Sequence, residues 1–79
     1  MELTLEKKDI EALDYLECRY DNYRFSAQVD YELFMGPKAV KKIITVEISS
    51  VSTGRLLHEV VFIDNNINIA DIEEAIRIA

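Results

Sequence analysis

The residues of this chain that could perform chemistry are one histidine, one cysteine and a set of carboxylates. A general base needs an orienting partner and a nucleophile within reach, and no motif around His58 supplies either. A zinc site usually takes about four Cys and His ligands, whereas the chain has one of each. The sequence therefore predicts a structural or edge histidine, a Cys18 without a reactive role, and no enzyme activity.

One short run has metal-ligand spacing. Asp64, Asn66 and Asn68 match the first alternating positions of an EF-hand calcium loop. Ile69 then stands where that loop needs glycine, and Ala75 where it needs a bidentate glutamate. Asn and Asp are also common in turns, where their side chains bond to nearby backbone groups. We therefore predict a strand-to-helix turn here, and no metal or other cofactor.

The carboxylates are concentrated in the first part of the chain. The net charge is −6, and residues 1–35 hold nine acids and four bases, which gives −5. Such a charge repels nucleic acid and anionic membranes and favours a basic protein partner, although it also serves simply to keep a small domain soluble. The basic cluster Lys38, Lys41 and Lys42 is too small against this charge to predict nucleic-acid binding.

Hydrophobic periodicity predicts three strands in the middle of the chain. Tyr23 to Leu33 alternates apolar and polar residues, which indicates one wet face and one dry face. Val40 to Ser50 predicts a second strand, and Leu56 to Ile63 predicts a third after a turn in which Gly54 takes a positive φ. The third strand is apolar on both faces, so we expect both faces to be covered.

Amphipathic segments predict a helix on each side of the strands. Asp9 is predicted to cap a helix from Ile10 to Tyr20, and Asn68 to cap another from Ile69 to about Ile78. The expected fold is a single α+β domain over residues 1–79: an N-terminal helix, a three-stranded antiparallel meander and a C-terminal helix. Both helices are expected on the sheet face that carries Phe25, Val29 and Tyr31. Two further expectations are a short strand at Glu2 to Glu6 and a break after the first strand at Gly36-Pro37.

Cysteine usage and hydropathy predict the compartment. A single cysteine cannot form an internal disulfide, and no apolar run resembles a signal peptide or a membrane span. We therefore expect a cytoplasmic protein that keeps its thiol reduced and does not bind membranes.

Acidic side chains next to tyrosines predict a protein-binding surface, because aromatic anchors contribute strongly at interfaces. The candidate partner-binding residues are Glu11, Asp14, Tyr15, Glu17, Asp21, Tyr23, Asp30 and Glu32. Small acidic domains without motifs are frequent among viral and mobile-element inhibitors, anti-CRISPR proteins included, which is an association with a class of proteins. The resulting hypothesis is an inhibitor that occludes a basic nucleic-acid-binding surface of a host protein. The alternative is a structural or regulatory homo-oligomer, such as a homodimer, formed through the third strand and the last helix.

Overall fold

A computed structural model of the chain describes residues 5–33 and 40–78. Helix α1 is followed by three strands and by helix α2: α1 (Lys7–Arg19), β1 (Tyr23–Leu33), β2 (Val40–Ser50), β3 (Leu56–Ile63) and α2 (Ile69–Ile78). The strands form one antiparallel sheet in the order β1-β2-β3. The predicted α+β meander with a helix at each end is confirmed, as are the limits of the strands and of α2.

The core lies between one face of the sheet and the two helices. Cross-strand register places Phe25 opposite Ile48 and Val29 opposite Ile44, and all four side chains are buried. Both helices contribute to this core through their apolar stripes, with α1 packed on β1 and α2 on β3. The buried helical residues are Ala12 and Leu16 from α1 and Ile72 and Ala75 from α2. Tyr31 also packs against the core but is only half-buried.

The hairpin between β2 and β3 has the predicted glycine geometry. Gly54 has a φ of 73°, a conformation in which a side chain would strain the backbone. Its N–H donates to the Ser50 carbonyl at 2.8 Å, and the Ser50 N–H donates to the Arg55 carbonyl at 2.9 Å. Register shifts between Ile48 and Ser49, so a bulge lies at the start of β3.

The start of α1 differs from the prediction. The helix begins at Lys7 with Glu6 at the N-cap position, and the Glu6 side chain makes no capping hydrogen bond. The prediction that Asp9 is the N-cap is therefore wrong, because Asp9 lies within the first helical turn and its carboxylate bonds to a distant loop instead. The corresponding prediction for α2 is confirmed, since the Asn68 Oδ1 accepts the Ala70 N–H at 2.9 Å.

Strand β3 is covered on one face only by the described residues. Phe62 is buried and Val60 half-buried beneath the helices. Leu57, Val61 and Ile63 point away from the helices and are 44%, 53% and 48% exposed. The expectation of cover on both faces is therefore not met within residues 5–33 and 40–78.

Some sequence predictions concern other parts of the chain. Residues 2–4 of the predicted N-terminal strand, the Gly36-Pro37 break and Lys38 lie outside the described residues. Neither described helix combines the length and the apolar composition needed to cross a membrane.

Candidate protein-binding site

Helix α1 presents acidic side chains to solvent. Because Ala12 and Leu16 point into the core, the opposite side of the helix carries Glu11, Asp14 and Glu17, all exposed. Two apolar side chains lie among these acids: Ile10 is 47% exposed and Tyr15 is 45% exposed. We define the acidic α1 face as Ile10, Glu11, Asp14, Tyr15 and Glu17. Asp21, two residues beyond the helix, is also exposed.

Most of the carboxylates on and beside this face form no ion pair with a lysine or arginine that the structure describes. The Glu11 carboxylate lies 3.9 Å from the Lys7 Nζ, as an exposed i,i+4 pair of small energetic weight. Asp14, Glu17 and Asp21 form no ion pair with any lysine or arginine of residues 5–33 and 40–78. Their charges are therefore not neutralised by an ion pair within these residues.

The structure separates the eight predicted partner-binding residues into three sets. Asp30 and Glu32 alternate with the buried side chains of β1, so they lie on the face of the sheet opposite to α1. They cannot contribute to one flat contact together with the acids of α1. Tyr23 is half-buried, and its ring centroid lies 6.4 Å from that of Tyr20, so Tyr23 is partly used in holding the fold. Glu11, Asp14, Tyr15, Glu17 and Asp21 remain on the helix side.

A polar cluster that the sequence did not reveal joins α1 to the loop between β3 and α2. The buried Asp9 Oδ1 accepts the Ile67 N–H at 2.8 Å. The Asn66 Nδ2 donates to Asp9 Oδ2 at 3.1 Å and to Glu6 Oε2 at 3.0 Å. The Lys42 Nζ lies 3.5 Å from Glu6 Oε1. We call Glu6, Asp9, Lys42 and Asn66 the Asn66 cluster, which connects the start of α1 to β2 and to the loop before α2.

The side chains of the calcium-like run each contact a different part of the protein. Asp64 accepts the Lys42 N–H at 3.1 Å and lies 3.3 Å from the Lys41 Nζ. Asn66 belongs to the Asn66 cluster, and Asn68 caps α2. Within the described ranges, no three His, Cys, Asp or Glu side chains are grouped so that they could hold a metal ion. His58 is half-buried on β3, and Cys18 is exposed on α1.

A second polar contact joins the two helices. The Tyr20 hydroxyl donates to the Glu73 Oε2 at 2.6 Å, and the Arg19 Nε lies 3.2 Å from the same oxygen. The Arg19 guanidinium also lies 5.8 Å from the centroid of the Tyr20 ring. These contacts bring the C-terminal end of α1 onto α2. Because Arg19 is paired in this way, it does not neutralise the acidic α1 face.

Acid is expected to weaken the Asn66 cluster. The hydrogen bond from Asn66 and the charge of Lys42 lower the pKa of Glu6 below its ordinary 4.5. Because the pKa is lower in the folded state, ionised Glu6 stabilises the fold above about pH 4.5, and this contribution disappears as the pH falls through the folded-state pKa. Urea unfolding should therefore show Glu6→Gln less stable than the unmutated protein at pH 7, with the difference shrinking as the pH falls through the folded-state pKa of Glu6.

The matched control for this experiment is Glu11→Gln, which removes the same charge from an exposed site that neither Asn66 nor Lys42 contacts. A Glu6→Gln difference that stays constant from pH 7 to pH 3 would show that the charge of Glu6 contributes nothing to the cluster.

Comparison with protein-family models, with curated proteins and with solved structures finds no match for this chain.

Proposed function

We propose that this protein is a small non-catalytic protein-binding domain whose acidic α1 face binds a basic surface of another protein. The observation that supports this most directly is the set of carboxylates of Asp14, Glu17 and Asp21, which have no cationic partner in the described part of the chain. Exposed Ile10 and Tyr15 lie beside them. Acids supply attraction and orientation, whereas the apolar side chains supply area that binding removes from water.

The proposed mechanism is occlusion of a nucleic-acid-binding site. The helical rise of about 1.5 Å per residue spaces Asp14 and Glu17 by about 4.5 Å along α1. A partner that binds phosphates through Lys and Arg would accept these carboxylates in their place. This is the action of a viral or mobile-element inhibitor of the anti-CRISPR type, working in the cytoplasm on a host protein that handles nucleic acid.

Affinity capture tests this proposal with variants of equal charge. Immobilised protein is expected to retain a nucleic-acid-handling protein from host lysate at low salt. Asp14→Asn with Glu17→Gln should lose that protein. The control pair Asp71→Asn with Glu74→Gln removes the same two negative charges from exposed sites on α2 and should retain it. In a gel-shift assay, adding the unmutated protein should release nucleic acid from its complex with the captured protein.

Two results would contradict the proposal. One is that the two double variants retain the same amount of the nucleic-acid-handling protein, because the position of the removed charges would then have no effect on binding. The other is capture of no nucleic-acid-handling protein at low salt, where screening is weakest.

A homo-oligomer is the second candidate function, and the exposure of Leu57, Val61 and Ile63 on β3 favours it. Such an assembly would sediment as a dimer at high micromolar concentration. A protein that sediments as a monomer over this range contradicts it.

A further inference from the structure

Strand β3 is an edge of the sheet, and its backbone has a defined direction of hydrogen bonding. The Asp64 N–H donates to the Lys42 carbonyl at 2.8 Å, which continues the ladder just beyond β3. Residues of an antiparallel pair alternate between bonding to the neighbouring strand and facing away from it. In the observed register, Phe62 and Val60 therefore bond to β2. Glu59, Val61 and Ile63 direct their N–H and C=O groups away from the sheet.

The side chains of these same residues lie on the open sheet face, which we define as the face turned away from both helices. Val61 is 53% exposed and Ile63 is 48% exposed. Ile43 lies opposite Ile63 on the same face and is half-buried, so it extends the apolar area toward β2. Natural edge strands are commonly protected by charged side chains (especially lysine), proline, β-bulges or short length, and the bulge of β3 lies before Glu59. The segment from Glu59 to Ile63 contains neither lysine nor proline.

A pair of like charges lies beside this apolar area. Glu47 on β2 is directly opposite Glu59 on β3, an arrangement that destabilises a sheet when no cation is near. Neither carboxylate forms an ion pair with a lysine or arginine that the structure describes. Directly opposite Glu47 on β1 is the uncharged Ser26, and the diagonal neighbour Arg24 forms no ion pair with Glu47 in the described structure. Among the described residues, the edge of β3 therefore combines outward backbone groups, of which the Ile63 carbonyl accepts the Asn65 Nδ2 at 3.0 Å, with aliphatic area and two acids on the open sheet face.

We propose that the edge of β3 binds an extended strand of another protein by strand addition. Main-chain hydrogen bonds to the N–H and C=O groups of Glu59 and Val61 and to the Ile63 N–H would supply affinity, and alternate side chains of the added strand would supply specificity. The added strand carries Lys or Arg beside the Glu47 and Glu59 pair. Aliphatic residues follow at the next two alternate positions, beside Val61 and Ile63.

Charge favours a basic strand over a second copy of this chain as the occupant of the β3 edge. Each copy carries a net charge of −6, and antiparallel pairing of two β3 strands would bring two Glu47 and Glu59 pairs into one sheet. Two copies of like net charge repel each other, whereas a basic strand neutralises the existing pair. This inference does not depend on the function proposed for the acidic α1 face, because the open sheet face lies on the other side of the sheet.

A charge-reversal experiment with defined peptides tests the proposed strand. The probe is a fluorescein-labelled peptide in which Lys, Val and Val alternate with Thr, and its partner probe carries Glu in place of Lys. Glu59→Lys should weaken binding of the Lys peptide by about tenfold or more and should strengthen binding of the Glu peptide. Glu74→Lys makes the same charge change on α2 and should leave both affinities unaltered. Anisotropy titrations give each dissociation constant.

Amide exchange locates the bound peptide. The N–H groups of Glu59, Val61 and Ile63 should exchange rapidly in the free protein and slowly with the Lys peptide bound. The N–H groups of Val60 and Phe62, already bonded to β2, should change little. Val61→Pro removes one outward donor without removing a bond to β2 and should weaken the peptide complex.

Three results would overturn the proposal. The first is no saturable binding of the Lys peptide. The second is that Glu59→Lys changes the affinity for neither peptide. The third is slow exchange at Glu59, Val61 and Ile63 in concentrated protein without peptide, together with sedimentation as a dimer, because a second copy would then occupy the edge.

Discussion

Asp9→Ala should lower the free energy of unfolding by about 3 kcal/mol, a large loss for a polar substitution. The Asp9 side chain is 1% exposed and accepts the Ile67 N–H at 2.8 Å. Alanine would leave that N–H buried without a partner and would also remove one acceptor from Asn66. Urea unfolding followed by circular dichroism measures the loss, and thermal unfolding should show a decrease in Tm of about 15 °C.

Asp14→Ala is the matched control, since it removes a carboxylate from the exposed side of the same helix. Its effect should stay within about 0.5 kcal/mol. Asp9→Asn keeps an oxygen for the Ile67 N–H and should cost less than Asp9→Ala. A loss below about 1 kcal/mol for Asp9→Ala would show that the Asn66 cluster does not hold α1 in place.

The role of Asp9 could not be predicted from its neighbours in sequence. An Asp before an apolar helical stripe is typical of an N-cap, and that local pattern led to the wrong helix start. The partners of its carboxylate, Asn66 and Ile67, lie 57 and 58 residues away. Only the packing of α1 against the end of the sheet brings them together. Local capping preference was therefore overridden by a tertiary contact.

The strands were predictable because apolar and polar residues alternate along a strand that is buried on one face. The two-residue period of β1 separates Phe25 and Val29 from Asp30 and Glu32, and the structure places the two groups on opposite faces. Gly54 fixed the hairpin for an equally local reason, since its φ is positive. The sequence of β3 was ambiguous. Apolar residues on both faces indicate that both faces are packed against something, but they do not identify the element or the partner that packs there.

The candidate site was predictable in part, for the same reason. Periodicity within α1 correctly placed Glu11 and Asp14 on the exposed side of the helix. Asp30 and Glu32 could lie on the same side of the protein as Glu11 and Asp14 only if α1 packed on the face of the sheet that carries them. The buried face of β1 shows that α1 packs on the opposite face. The open sheet face also required the register, because the opposition of Glu47 and Glu59 is a property of two paired strands.

Ile44→Ala should have the largest effect of any single substitution considered for this chain, a loss of about 4 kcal/mol. Ile44 is 0% exposed in the central strand, and its cross-strand neighbours are Val29 on β1 and Phe62 on β3. Alanine would leave a cavity in the core between the sheet and the helices. Because small domains are stable by only about 5 to 15 kcal/mol, this variant should unfold at much lower urea concentration.

The adjacent Ile43 provides a control of the same residue type in the same strand. Ile43 is half-buried on the open sheet face, so Ile43→Ala should cost about 1 kcal/mol, because it removes less buried area and leaves no enclosed cavity. Ile44→Val, which removes one methylene, should cost about 1 kcal/mol and remain folded if Ile44→Ala does not. Equal losses for alanine at positions 43 and 44 would contradict the assignment of the two faces, since a change of face is the main difference between these neighbours.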